Sequence, residues 1–341
     1  MKRISSKVLV LCLGLGLGMA ALDAAGPGYK VIGHIKLGGQ GGWDYAYADG
    51  GAKRLYVSHT NVTEVVDLAA GKKIGEIADT QGVHGIAIAD DLGRGFTSNG
   101  RANNVSIFDL KTLKTIAKVP TGMNPDSIIY EPVTHRVFTF NGRSNNSTAI
   151  DARTGKVVAT FEVGGKPEFS QADGKGRIYA NIESTSELIE IDAAKPAVTK
   201  RIKLEGCDSP SGLAIDTAKR RLYSVCENKV MTIADPDAGK VIATAPIGRG
   251  PDGVAFDNGY AFSSNGRDGT ITVVGEKSGK YADLQTVPTM SGARTIAADR
   301  KTHKLYLPVA QYLPPAQGQK GRGRGRGQMV PGSFQIIVVG R

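Results

Sequence analysis

The sequence predicts an all-β fold, a seven-bladed β-propeller with four antiparallel strands per blade, and three observations predict it. A blade-opening motif recurs along the chain at spacings of 41, 41, 42, 44, 40 and 42 residues. Each repeat carries short apolar segments separated by Gly, Asp or Asn turns, which suits four strands in a unit of about 42 residues. With 45 Gly, 15 Pro and one Trp among 341 residues, the composition favours many short strands over long helices.

The first residues read as an export signal over 1–25, cleaved to leave one domain over 26–341. Lys2, Arg3 and Lys7 precede an uncharged run of 14 residues, Val8 to Ala21, and small residues follow up to Gly26. That run is shorter than the roughly 20 residues a membrane-crossing helix needs, so the expectation is cleavage, no membrane span in the mature chain, and a periplasmic or secreted location.

The blades open at Trp43-Asp44, His84-Gly85, Pro125-Asp126, Pro167-Glu168, Ser211-Gly212, Pro251-Asp252 and Ala293-Arg294. A short apolar strand follows each, then a strand with an aromatic such as Leu55-Tyr56-Val57. The third strand often ends in Asp, as at Val105 to Asp109. The last unit runs out after three strands, whereas Tyr29 to Leu37 reads as an outer strand without partners. Pairing the two would close the ring and remove an exposed edge. Small residues at Ala46, Ala87, Ala214, Ala255 and Ala297 suit the crowding of innermost strands round a central channel.

In such a ring, the blade-opening loops and the loops between second and third strands share one face, where a rigid scaffold mounts binding groups. The candidate ligand-binding residues are Asp44, His59, His84, Asn99, Arg101, Asp126, Asn141, Arg143, Glu168, Glu183, Asp252, Asn265, Arg267 and Arg294. The Asn-Gly-Arg stretches at 99–101, 141–143 and 265–267 are turn chemistry first, because Asn-Gly accepts positive φ. Their arginines are also fork-shaped anion donors. Ring-forming Arg–Glu pairs that use Glu168 and Glu183 are the structural alternative. His59 and His84 are the histidines able to converge, with Asp44 as a third ligand. No tight ligand spacing supports that site, so neither a metal nor a cofactor is expected. Cys207 and Cys226 are the two cysteines left after export and are expected to form a disulfide.

The stretches Gly82-Val83-His84-Gly85, Gly95 to Arg101, Asn124-Pro125-Asp126, Gly165-Lys166-Pro167-Glu168, Asn181-Ile182-Glu183 and Lys301-Thr302-His303 resemble the YVTN-type propeller repeat. Residues 29 to 341 as a whole resemble the YncE-like family of exported bacterial propellers. The resemblance implies the propeller fold and, from some relatives, single-stranded DNA binding. A shared fold does not transfer an activity.

A Gly/Arg-rich loop at about 314–331 interrupts the last unit. Its Lys320, Arg322, Arg324 and Arg326 supply +4 of the net charge of +11, and the leader supplies +2 more, leaving a mildly basic body of +5. A flexible Gly-Arg tract can contact phosphates, so these four residues are the candidate nucleic-acid-binding loop. No nucleophile elbow or zinc-protease helix is present. The leading expectation is therefore a monomeric, noncatalytic binding scaffold that presents its loop-rich face to an anionic ligand or protein partner. A single-stranded DNA binder is the first alternative, and a channel-mouth hydrolase or oxidoreductase the second.

Overall fold

The computed structural model describes residues 26–314 and 328–341. The expected leader and the basic residues Lys320, Arg322, Arg324 and Arg326 lie outside the described residues. Seven four-stranded antiparallel sheets form the ring. Six are built from four consecutive strands; blade 2, for example, comprises Val83–Ala89, Arg94–Asn99, Asn104–Asp109 and Thr115–Pro120. In the seventh, Ala297–Asp299, Lys304–Val309 and Gln335–Gly340 are completed by the N-terminal strand Lys30–Lys36. The register pairs Val31 with Val339 and Ile35 with Ile336, so both ends of the chain are tied into one sheet. Tyr29 strengthens the joint by packing edge-on against Phe262 of blade 6 at 4.8 Å, under the guanidinium of Arg341.

Burial follows from position in the blade. Second strands such as Arg94–Asn99 are buried at five successive positions, because neighbouring blades cover both of their faces. Outer strands such as Lys240–Pro246 alternate exposed and covered residues, the period of a sheet edge with one face in water. The core lies between adjacent blades. Phe138 and Phe140 of blade 3 meet Ile178, Ile182 and Ile189 of blade 4, all fully buried. Around the axis, Ala46, Ala214, Ala255 and Ala297 line a cavity that also holds Gln171, Asp299, Arg300 and Lys301.

Glycine is required where innermost strands touch. A Cβ on Gly212 would lie 2.8 Å from the Asp252 carbonyl oxygen and the Val254 nitrogen of the next blade. Backbone cannot yield there as a flexible side chain would. Gly212→Ala is expected to destabilise the protein by about 1–3 kcal/mol, the usual range for overpacking. Gly33→Ala, with nothing within 4 Å of its Cβ, is the control and should stay within about 0.5 kcal/mol of wild type. Equal denaturation midpoints for the two variants would refute this account of the contact.

Candidate functional site

The site is built by a repeated backbone irregularity. In blade 1, Trp43 pairs with His59 and the register then shifts before Ala46 pairs with Val57. The same bulge follows Val83, Pro125, Pro167, Pro210 and Pro251. A bulge re-aims the residue inside it. The residue after each of these points is therefore released from the ladder on the loop-rich side: Asp44, His84, Asp126, Glu168, Ser211 and Asp252, with Arg294 opening blade 7. This corrects the sequence-based phase in two blades, since the opening pairs are Val83-His84 and Pro210-Ser211. Alternating patterns cannot show where a register slips, which is why the extra residue went unnoticed. Ser211 is a ring member the sequence reading did not select.

Ion pairs join the ring. Arg294 is its hub: Nη2 lies 3.0 Å from Asp44 Oδ1 and donates to the Trp43 carbonyl at 2.7 Å, while Nη1 bonds Asp252. His84 Nδ1 is 2.6 Å from Asp44 Oδ2 and 3.8 Å from Asp126 Oδ1. On the opposite side, Lys166 Nζ lies 2.6 Å from Glu168 Oε1 and also bonds Glu183. Lys166 is thus a further site residue. It adjoins the fourth blade opening, Pro167-Glu168, and is not among the site residues expected from sequence. Beneath the charges, Tyr45 of blade 1 meets Phe169 of blade 4 edge-on across the axis, with ring centroids 4.8 Å apart, and plugs the channel.

Protonation follows from this crowding. Burial opposes charge on Asp44, but the Arg294 guanidinium and His84 hold its carboxyl below the ordinary range. Burial also works against charge on His84, yet the Asp44 hydrogen bond and the nearby Asp126 raise it to about 9, so the ring is cationic at neutral pH. Asp126 is pushed up to about 6 by burial, against the pull of His84 and with Asp44 adding repulsion. Glu168 is pushed up to about 8 by burial and by Asp126, despite Lys166. Tyr45 is raised well above its usual value by burial beneath these carboxylates.

Several expected face residues are placed elsewhere. Asn99, Asn141 and Asn265 are fully buried. The Asn99 amide donates to Asn104 and to Ser106, each at 2.8 Å, and Asn141 and Asn265 repeat the pattern on Asn146 and Thr148 and on Thr270 and Thr272. They lock second strands to third strands. Positive φ falls instead at Asn103, Asn145 and Gly269, the last residues of these loops, as in a type I turn followed by a left-handed residue. The sequence-based turn geometry is corrected accordingly. His59 does not converge with His84. Buried, it places Nδ1 2.6 Å from Glu64 Oε1 and packs its ring on Phe334 at 4.2 Å. A Cβ on Gly39 would touch its Cε1 at 2.7 Å, so His59 seats the glycine-rich segment that leads into blade 1.

The remaining arginines divide the face into two grooves that share Arg294. The first, about 430 Å³, is lined by Trp43, Asp44, His84, Arg101, Arg143 and Arg294 among others. Arg101 and Arg143 are exposed and make no ion pair among the described residues. The second, about 470 Å³, includes Lys166, Glu168, Glu183, Glu227, Asp252 and Arg267. Arg267 lies 2.9 Å from Glu227 there, so this side uses Arg–Glu pairing. The face is therefore asymmetric, with a cationic surplus in the first groove and a carboxylate surplus in the second. Cys207 and Cys226 are joined nearby, with Cα atoms 5.4 Å apart.

Solved structures are similar in overall shape. The crystal structure of the RRP9 WD40 repeats superposes with a TM-score of 0.75 at 10% identity, covering 91% of this chain and 98% of that one. A structure of U3-55K gives 0.74 at 11% identity, over 90% and 98% of the two chains. The hydrazine synthase of Kuenenia stuttgartiensis gives 0.68 at 18% identity, over 81% and 94%. The likeness shows the fold. No family model and no curated protein matches the chain. At these identities a common activity does not follow.

Proposed function

We propose that the chain is an exported, noncatalytic binding scaffold of the YncE-like type, which holds an anionic ligand in the groove between Arg101 and Arg143. One observation carries the reading: two exposed guanidiniums without ion-pair partners among the described residues line the same 430 Å³ groove. Other cations of this face, Arg267, Arg294 and Lys166, are each paired with carboxylates. Unpaired guanidiniums suit bidentate recognition of carboxylate or phosphate. The noncatalytic part rests on the ring itself. Its one hydroxyl, on Ser211, lies 3.5 and 3.3 Å from the backbone carbonyls of Val225 and Pro251 and so is engaged with backbone.

Calorimetry with inorganic phosphate and with succinate tests the reading. Binding should weaken by at least about ten-fold in the Arg101→Gln/Arg143→Gln double variant, the equivalent of about 1.4 kcal/mol, and should fall with added salt. An unchanged affinity in the double variant would refute the groove as the site. Oligothymidylate belongs in the same series: binding that depends on residues 318–327 and not on the two arginines would favour the nucleic-acid alternative.

A further inference from the structure

We propose that Asp44, His84 and Asp126 form a binding site for a divalent transition-metal ion at the mouth of the channel. Sequence reasoning leads to no metal, because the candidate set of His59, His84 and Asp44 has no tight ligand spacing. The structure sends His59 inward and brings a different third group to His84. One ligand atom from each of Asp44, His84 and Asp126 lies within 4.8 Å of the others. The three side chains come from the bulged positions of blades 1, 2 and 3, so the rigid ring sets their spacing and no loop has to close.

The second observation is an orphaned oxygen. Asp126 Oδ1 is buried and has no hydrogen-bond partner, though it faces His84 Nδ1 at 3.8 Å, too far for a hydrogen bond. A buried carboxylate oxygen left in this way costs free energy unless something occupies the gap. An ion bound at about 2.0–2.1 Å from nitrogen and carboxylate oxygen sets neighbouring ligand atoms about 3.4 Å apart in tetrahedral geometry. The 3.8 Å separation must close slightly and the 2.6 Å contact between His84 and Asp44 must open. Both changes are within side-chain reach.

The surroundings suit the ion. One imidazole nitrogen with two carboxylate oxygens is a donor set for zinc, cobalt, manganese or iron rather than for calcium or a thiolate-seeking metal. Arg294 holds the other oxygen of Asp44 at 3.0 Å, which fixes that carboxylate from behind as outer partners of metal ligands do. Charge also balances once the ion displaces the His84 proton, as ligation requires: a divalent ion and Arg294 then offset Asp44, Asp126 and Asp252. Gly100 leaves room on the far side of the imidazole, since a Cβ there would meet His84 Nε2 at 2.5 Å. With three protein ligands, the ion would keep an open position toward the first groove. Asp44 and His84 line the same groove as Arg101 and Arg143, but none of the ion's ligands is either arginine, so separate variants tell the two sites apart.

The test uses the untagged full chain, stripped with chelator and titrated with Co²⁺ by visible absorption and with Zn²⁺ by calorimetry, no anionic ligand being added. One ion per chain with ligand-field absorption is expected. Affinity should fall by more than about a hundred-fold, beyond the effect of losing an outer partner, in both His84→Ala and Asp126→Asn. Thermal melts establish that each variant is folded; should His84→Ala fail to fold, the isosteric Asp126→Asn decides. No stoichiometric uptake, or uptake unchanged in the folded variants, would overturn the site. Metal uptake that persists in the Arg101→Gln/Arg143→Gln variant separates this result from the outcome for anion binding.

Discussion

Replacing Arg294 with alanine is expected to destabilise the protein by about 3–5 kcal/mol, because it removes one side of a buried ion network. The side chains of Arg294, Asp44 and Asp252 are 18%, 15% and 18% exposed. An exposed pair would be worth about 0–1 kcal/mol, so burial decides the size. Position adds to it. Arg294 opens blade 7, pairs with Asp252 of blade 6 and donates to the Trp43 carbonyl of blade 1. It therefore spans the joint at which the ring closes, where Thr295 also donates to the Asp44 carbonyl at 2.6 Å. Equilibrium urea denaturation measures the loss. Adding Asp44→Asn or Asp252→Asn to Arg294→Ala should recover part of it, since each removes a carboxylate that has lost its guanidinium. Arg294→Lys should fall between, keeping the charge but not the fork that reaches two carboxylates and a carbonyl. A loss below about 1 kcal/mol for Arg294→Ala would place the network with surface pairs and refute the argument.

The contrast between Arg294 and Asn99 shows which parts of the site a linear sequence carries. Repetition at blade spacing gave away the ring, the clasp by Lys30–Lys36 and the face on which blade openings gather. Each depends only on strand count and direction. What a side chain does on that face depends on local register, and register hides in the bulges. His84 joins Asp44 because both occupy the released position after a bulge. Asn99, at the end of its strand, pairs across the ladder and turns its amide to Ser106. His59 sits opposite Trp43 in the ladder, and its nearest carboxylate is Glu64 from its own hairpin. Nothing in composition separates these cases. Lys166 could have been found from sequence by asking which cation would neutralise Glu168 and Glu183, two acids on adjacent loops of one blade. Arg294 as hub could not, since its partners lie 42 and about 250 positions away.

Converting both Cys207 and Cys226 to alanine is expected to lower the unfolding free energy by about 3 kcal/mol and the melting temperature by about 6 °C. The two are separated by 19 residues, and a cross-link closing a loop of that length removes about this much free energy's worth of entropy from the unfolded chain. Their surroundings favour alanine as the replacement. Cys207 and Cys226 are 4% and 0% exposed and pack with Tyr179, Leu188, Leu213 and Leu222, where a serine hydroxyl would add a desolvation penalty of its own. The comparison that isolates the bond is reductant against no reductant. Wild type should lose stability when reduced, whereas the double variant should be indifferent. If unreduced wild type takes up two equivalents of alkylating reagent in denaturant, no bond exists and the stability argument fails with it. If the bond is present and the loss is still below about 1 kcal/mol, the ladder pairing of Pro210 with Cys226 already holds the two segments together, and the cross-link is redundant with the blade. A loss near the expected size means the segment before blade 5 depends on an oxidised cysteine pair. Folding would then be complete only in an oxidising compartment.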